Sequence, residues 1–194
     1  NQVEEKIVDR FMHDLWSSRA MRGCGGWEVF EAYSRLLMVQ REKTEFKCRP
    51  CVGSNDEQNN KVDKIWLGGC KEIQETSDIV KASMRSKGIL FHSSKQHQQL
   101  IDFICQDDNN CFHAFQVTLG KKHNAKTKSI EKLKALVGDA KLSLYYMVMS
   151  DNFSTFLTNP VTPKVNGVSC WHVEVSKPDK VHGNGLMEQP EMVE

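Results

Sequence analysis

No apolar run in this sequence approaches the roughly 18 residues needed to span a bilayer, and its first residues, Asn1-Gln2-Val3-Glu4-Glu5-Lys6, carry no apolar signal core. The expectation is an intracellular protein with no membrane partner; with no Met at its start, it is also expected to be a piece of a longer chain. Charge imbalance is lacking too. Lys and Arg number 26 against 25 Asp and Glu, a formal net charge of +1, so any attraction to phosphate has to come from local clustering. The cysteine pattern favours reduced thiols over a disulfide framework: Cys24, Cys48, Cys51, Cys70, Cys105, Cys111 and Cys170 are odd in number and irregular in spacing. Cys48-Arg49-Pro50-Cys51 has no second C-x-x-C and no H-x-x-x-H partner, so a zinc module is not expected. The same pair lies in a strand-like stretch rather than at a helix start, which argues against a thioredoxin-type role. Gly120-Lys121-Lys122 is not a phosphate-binding Walker loop, because Ser or Thr does not follow the lysine and the upstream glycine is missing. The histidines at 92, 97, 113 and 123 lack HNH spacing. No internal repeat or low-complexity tract is present.

What is present suits a globular domain. The chain has 194 residues, 39% hydrophobic and 26% charged, enough to bury a core. Val3, Ile7, Val8, Phe11, Leu15 and Trp16 recur at helical spacing and predict a helix over 2–18. Glycines at 23, 25 and 26 follow, then a second helix over 27–42 with Phe30, Tyr33, Leu36 and Leu37 on one face and Glu31 one residue off it. Strands are predicted over 45–52 and 61–67, separated by an exposed polar loop over 53–60. Residues 72–86 show partial helical periodicity, and 88–92 an extended stretch. A helix over 127–136 ends at Gly138. The near-continuous apolar run of 141–149 fits a strand buried on both faces. Phe153, Phe156 and Leu157 predict a short helical turn, and 168–175 a last strand. Trp16, Trp27, Trp66 and Trp171 are too dispersed for a stacking platform, so core packing is expected of each. The predicted organisation is an N-terminal helix (1–22), one α/β domain (23–175) with a central mixed β-sheet flanked by helices, and a flexible tail (176–194).

Two stretches stand out. Leu100-Ile101-Asp102-Phe103-Ile104-Cys105 and Cys111-Phe112-His113-Ala114-Phe115-Gln116-Val117-Thr118-Leu119 are strand-like, yet each carries a polar group where an apolar one is expected. A carboxylate inside an apolar strand is costly unless it is hydrogen-bonded, paired or metal-bound. If the two strands form a hairpin, Asp102 lies beside Gln116, and carboxylate and amide oxygens are hard ligands for a Mg²⁺-type ion. Simple hydrogen bonding between the two, or to backbone, is the alternative. The basic turn Lys121-Lys122-His123-Asn124-Ala125-Lys126-Thr127-Lys128, just before a helix, is the candidate phosphate contact; a solvated surface loop is its alternative.

Gly26-Trp27-Glu28-Val29-Phe30-Glu31-Ala32-Tyr33 resembles the first helix motif of the nuclease-like module in Crinkler effectors and trypanosome retrotransposon hot spot proteins. Leu100-Ile101-Asp102 resembles that module's acidic strand. Phe115-Gln116-Val117-Thr118, with His123 after it, resembles the next strand and turn. Leu144-Tyr145-Tyr146-Met147-Val148 and Asp151-Asn152-Phe153 resemble the late strand and its loop. The likeness spans about residues 26 to 157 and rests on the order of short motifs. It implies a restriction-endonuclease-like, PD-(D/E)-x-K fold. Asp102 and Gln116 would then be metal ligands and Glu31 the helix carboxylate, with Mg²⁺ or Mn²⁺ supporting phosphodiester hydrolysis. Thr118 stands where that superfamily has its lysine, so Lys121, Lys122 or Lys126 migrates into the role, or His123 acts as acid or base. Lys121, Lys122, Lys126 and Lys128 would contact nucleic acid, DNA rather than RNA. The resemblance also implies nuclear residence and a P-loop ATPase region elsewhere in the parent chain. Two further expectations stay open: a nuclease fold that no longer cuts and serves as a nucleic-acid or protein-interaction module, and a structural domain that assembles its parent chain as a homo-oligomer.

Overall fold

A computed structural model describes residues 26–39, 43–51, 62–93, 101–124, 127–159 and 165–177. The helix predicted over 2–18, the loop over 53–60, His97, Lys126 and all but the first two residues of the expected tail lie outside these. Eight strands form one curled mixed sheet. In chain order they are β1 (Lys43–Pro50), β2 (Asp63–Gly68), β3 (Glu72–Thr76), β4 (Ile89–Ser93), β5 (Phe103–Gln106), β6 (Phe112–Thr118), β8 (Leu142–Met149) and β10 (Val168–Val175). Two short strands, β7 (Lys122–Asn124) and β9 (Leu157–Asn159), pair in parallel as a separate ribbon. The helices are α1 (Gly26–Met38), α2 (Ile79–Ser83), α3 (Thr127–Val137) and α4 (Ser150–Phe153).

The sheet order is β2-β1-β10-β8-β6-β5-β4-β3. Its centre is β8, parallel to β6 on one side and to β10 on the other. Six of its eight residues are buried in an unbroken run from Leu144, the near-continuous apolar signature of a strand covered on both faces. Alternation along it divides the core. Tyr145, Met147 and Met149 join Phe30, Tyr33 and Met38 of α1 on one face. Leu144, Tyr146 and Val148 join Ile130, Leu133 and Val137 of α3 on the other, with Ile79 of α2. Helices thus cover both faces, as expected for an α/β arrangement. Helix α3 stops where Gly138 takes φ +63, and the Lys134 ammonium donates to the Gly138 and Ala140 carbonyl oxygens beyond it.

Two sequence expectations are corrected. The helix predicted over 72–86 is a strand followed by a single helical turn: Glu72–Thr76 pairs in parallel with Ile89–Ser93, and only Ile79–Ser83 is helical. The partial periodicity of Ile73, Ile79 and Val80 is outweighed by the hydrogen bonds that β4 offers at its edge. Asp78 then starts the short helix by accepting from the Lys81 N–H at 3.1 Å. Core packing also fails for two tryptophans, since Trp27 is 40% and Trp66 59% exposed.

Candidate acidic site at the β5–β6 end

The two polar-interrupted stretches do form an antiparallel pair, with Phe103 opposite Phe115 and Ile104 opposite Ala114. Asp102 lies in the bend one step before β5, where its N–H donates to the Phe115 carbonyl oxygen at 2.8 Å. Its Oδ2 accepts from Gln116 Nε2 at 2.8 Å and from the Val117 N–H at 2.6 Å. The side chains meet as the sequence led us to expect, through the hydrogen bonding between them and to backbone that stood as the alternative to a metal site. Part of the carboxylate's desolvation is therefore answered by hydrogen bonds within the hairpin.

The remainder is not. Burial pushes the Asp102 carboxyl up to about 7, the Val117 N–H opposes that rise, the Glu31 carboxylate adds to it, and Arg35 opposes it. Glu31 is itself raised by burial, with Arg35 pulling it down and Glu28 pushing it up. Gln116 donates its amide N–H to Asp102, and this orients its carbonyl: Oε1 is buried and accepts no hydrogen bond among the described residues. The carboxyl is strongly penalised, lies against an amide whose oxygen has no partner among the described residues, and feels the opposed charges of Glu31 and Arg35.

Elements from both sides of the sheet build this margin. By alternation Gln116 shares the face of Phe112 and Ala114, which α3 covers. Helix α1 lies on the opposite face and brings Glu31 with Arg35 one turn later, Nη1 and Oε1 being 3.8 Å apart. Asp102 sits between them at the bend. On β4, His92 stands opposite Phe103 of β5 and opposite Glu75 of β3. Burial lowers its imidazole pKa, Arg35 lowers it further, and Glu75 raises it. Arg35 thus acts on Glu31, Asp102 and His92 together. It was missed in the sequence, although its spacing of four from Glu31 is that of a helical ion pair.

The basic turn is placed differently from its expectation. Lys122–Asn124 is strand β7, not an open loop, because it pairs with Leu157–Asn159. Lys121 and Lys128 are exposed, and no described lysine joins Asp102; the side chains of Lys122 and His123 are outside what is described. Thr118 shares the Gln116 face, and its Oγ1 accepts from the Gly120 N–H at 3.2 Å. Among the described residues, the cation that acts on Asp102 is the Arg35 guanidinium on α1.

The oxygens that meet here are the Asp102 carboxylate and the Gln116 carbonyl, hard donors of the kind Mg²⁺ or Mn²⁺ takes; Glu31, on the helix across the sheet, reaches Asp102 through its charge. Among the described residues no group of three or more His, Cys, Asp or Glu could hold a metal ion; any coordination here leans on the amide oxygen and on solvent. The orphaned Oε1 is the observation that fits such an ion. No helix of the described residues is long and apolar enough to cross a membrane. Compared with known protein families, with curated proteins and with solved structures, the chain matches none.

Proposed function

We propose that this domain is a restriction-endonuclease-like module whose Asp102, Gln116 and Glu31 hold Mg²⁺ or Mn²⁺ and act on nucleic-acid phosphodiesters, DNA before RNA. The observation that carries the proposal is the buried Gln116 Oε1, without a partner among the described residues, beside a carboxyl that burial and Glu31 push up to about 7. A divalent ion would satisfy the amide oxygen and relieve both carboxylates at once. The topology supports the same reading: an antiparallel pair bearing the acidic bend is followed by a helical crossover, α3, to a parallel strand, β8. When bound, such an ion supplies Lewis-acid charge stabilisation and an activated water. Arg35 is placed to neutralise charge beside it, a task a guanidinium performs with phosphate oxygens in two-point geometry.

A second reading is favoured by Thr118, because a hydroxyl at the superfamily lysine's position cannot balance a developing negative charge. On that reading the same fold binds nucleic acid or protein without cutting. Cleavage assays on DNA and RNA, with Mg²⁺, Mn²⁺ and neither, in wild type and Asp102→Ala, separate the two. Metal-dependent cutting lost in the variant supports the nuclease. Salt-sensitive binding without cutting supports the module, since phosphate contacts release counterions. The absence of both, with no heat on Mn²⁺ titration, removes the proposal.

A further inference from the structure

The hairpin that carries Asp102 at one end borders a different cavity at the other. It has a volume of about 210 Å³ and is lined by Cys70, Cys105, His113 and Phe115, with Trp66 and Asp108 among its exposed residues. Two of the lining groups are sulfurs. Cys105 lies on β5 directly opposite His113 on β6. Cys70 lies on the loop from β2 to β3, fixed there by donation of its N–H to the Met38 carbonyl oxygen at 2.9 Å. The loop is pressed against α1: Gly68 has φ +96, and a Cβ there would lie 3.0 Å from the Leu37 carbonyl oxygen. Both thiols are free and at least nine-tenths buried.

The two are not equivalent. Each thiol acts on the other across the cavity wall, and their interaction lowers Cys70 and raises Cys105. Burial and the Asp107 carboxylate reinforce the rise at Cys105. Asp107 is held on the cavity wall by its own contacts, Oδ2 lying 3.2 Å from His113 Nε2 and Oδ1 accepting from the Cys111 N–H at 2.8 Å. The Tyr145 hydroxyl lies 3.1 Å from the other ring nitrogen of His113. With both its nitrogens engaged, His113 walls the cavity rather than taking the thiol proton. The pair is thus arranged as an attacking sulfur and a proton-keeping neighbour, in a space that admits a small molecule.

We propose that Cys70 and Cys105 form a thiol–disulfide exchange site for a small organic disulfide, with Cys70 attacking first and Cys105 resolving. The Cys70 thiolate attacks one sulfur of the disulfide; the S–S bond breaks, a mixed disulfide forms on Cys70, and the first thiolate leaves. That thiolate takes the proton of Cys105, and the Cys105 sulfur attacks Cys70 Sγ, closing the Cys70–Cys105 bond and expelling the second thiolate. The second thiolate takes the proton that Cys70 gave up to solvent. The protein loses two electrons and two protons, and the disulfide is reduced to two thiols.

The test uses 2-hydroxyethyl disulfide on the whole chain, followed by peptide mass mapping. In the wild type, a peptide pair linked through Cys70 and Cys105 and lighter by about 2 Da is expected. Labelling of Cys70 is expected ~10-fold faster than that of Cys48, whose thiol burial pushes up. Cys105→Ser should trap the mixed disulfide on Cys70, and Cys70→Ser should leave Cys105 unmodified. Cys70 reacting no faster than Cys48, or no Cys70–Cys105 link once Cys111 is fully labelled, overturns the proposal; both readouts come from the wild type and need no variant to fold.

Discussion

Asp102→Asn is expected to stabilise the protein while abolishing whatever its site does. The variant keeps an oxygen that accepts from the Val117 N–H and Gln116 Nε2 and removes only the charge. In the fold the carboxyl is pushed from 3.8 up to about 7. Because this folded value lies above the unfolded one, ionised Asp102 destabilises the fold above about pH 7, and the cost is relieved as pH falls through 7 towards 4. At about 1.36 kcal/mol per pH unit between the two values, the full cost at about pH 8 is ~4 kcal/mol. Relaxation and water entry reduce that figure, so a gain of about 2–4 kcal/mol is expected for the variant at about pH 8, shrinking towards zero at about pH 4. Urea unfolding of both proteins at several pH values, metal-free, measures it. Millimolar Mn²⁺ should then raise the wild-type midpoint and leave the variant's unchanged, because only a protein that binds the ion gains from it. A variant no more stable than wild type at pH 8, with a difference that does not vary with pH, would refute the reasoning from burial and from the Glu31 charge.

Three other perturbations follow from the same contacts. His172 is 4% exposed, has no hydrogen-bond partner for either ring nitrogen among the described residues, and is held down to about 3 by burial and then by Arg49. Its folded value lies below the unfolded one, so stability is lost as pH falls from about 6.5 to about 3, at most ~5 kcal/mol over the whole interval; His172→Phe should flatten that acid limb in thermal unfolding, and an unchanged limb would assign it to other groups. Thr118→Lys places an ammonium on the face of Gln116, and if the site cuts, the Mn²⁺-dependent rate should rise ~100-fold, the worth of one well-placed charge stabiliser; no rise would place the charge elsewhere, with Arg35 the next residue to change. Gly68→Ala combines φ +96 with the close approach to Leu37, so a loss of about 1–3 kcal/mol in urea unfolding is expected, against little change if the loop simply shifts.

How much was legible depends on the range of the interaction. Asp102 and Gln116 could be paired from the sequence because alternation and a short turn fix a hairpin locally. Glu31 was legible as a carboxylate just off an apolar helix face. Arg35 could be seen as its partner at four residues, but not as the charge that also acts on His92 and Asp102, since that requires knowing which strand end α1 covers. His172 was concealed by the pattern that revealed its strand. Trp171, Val173 and Val175 alternate as one face, a pattern that carries no information about the even positions, and the structure covers that face as well, with Cys170 in the same core as Tyr146. The Cys70–Cys105 meeting joins a loop to a strand 35 positions away, and nothing in either local sequence marks it. Likewise β3 was hidden because an edge strand in parallel pairing leaves only a weak alternation.

The sheet order has a consequence for the birth of the molecule. Strand β10 lies between β1 and β8, yet it is the last of the three to leave the ribosome. Until Val168–Val175 emerges, the β1–β2 hairpin and the block from β3 to β8 have no shared ladder. Each presents a bare edge of unpaired N–H and C=O groups. Strand β10, the last among the described residues, therefore joins the two parts at the greatest sequence separation of any strand pair described, the kind of contact that forms late and slowly. A chain stalled before Val168 would expose two unpaired edges to its neighbours, the condition in which strand-to-strand aggregation starts.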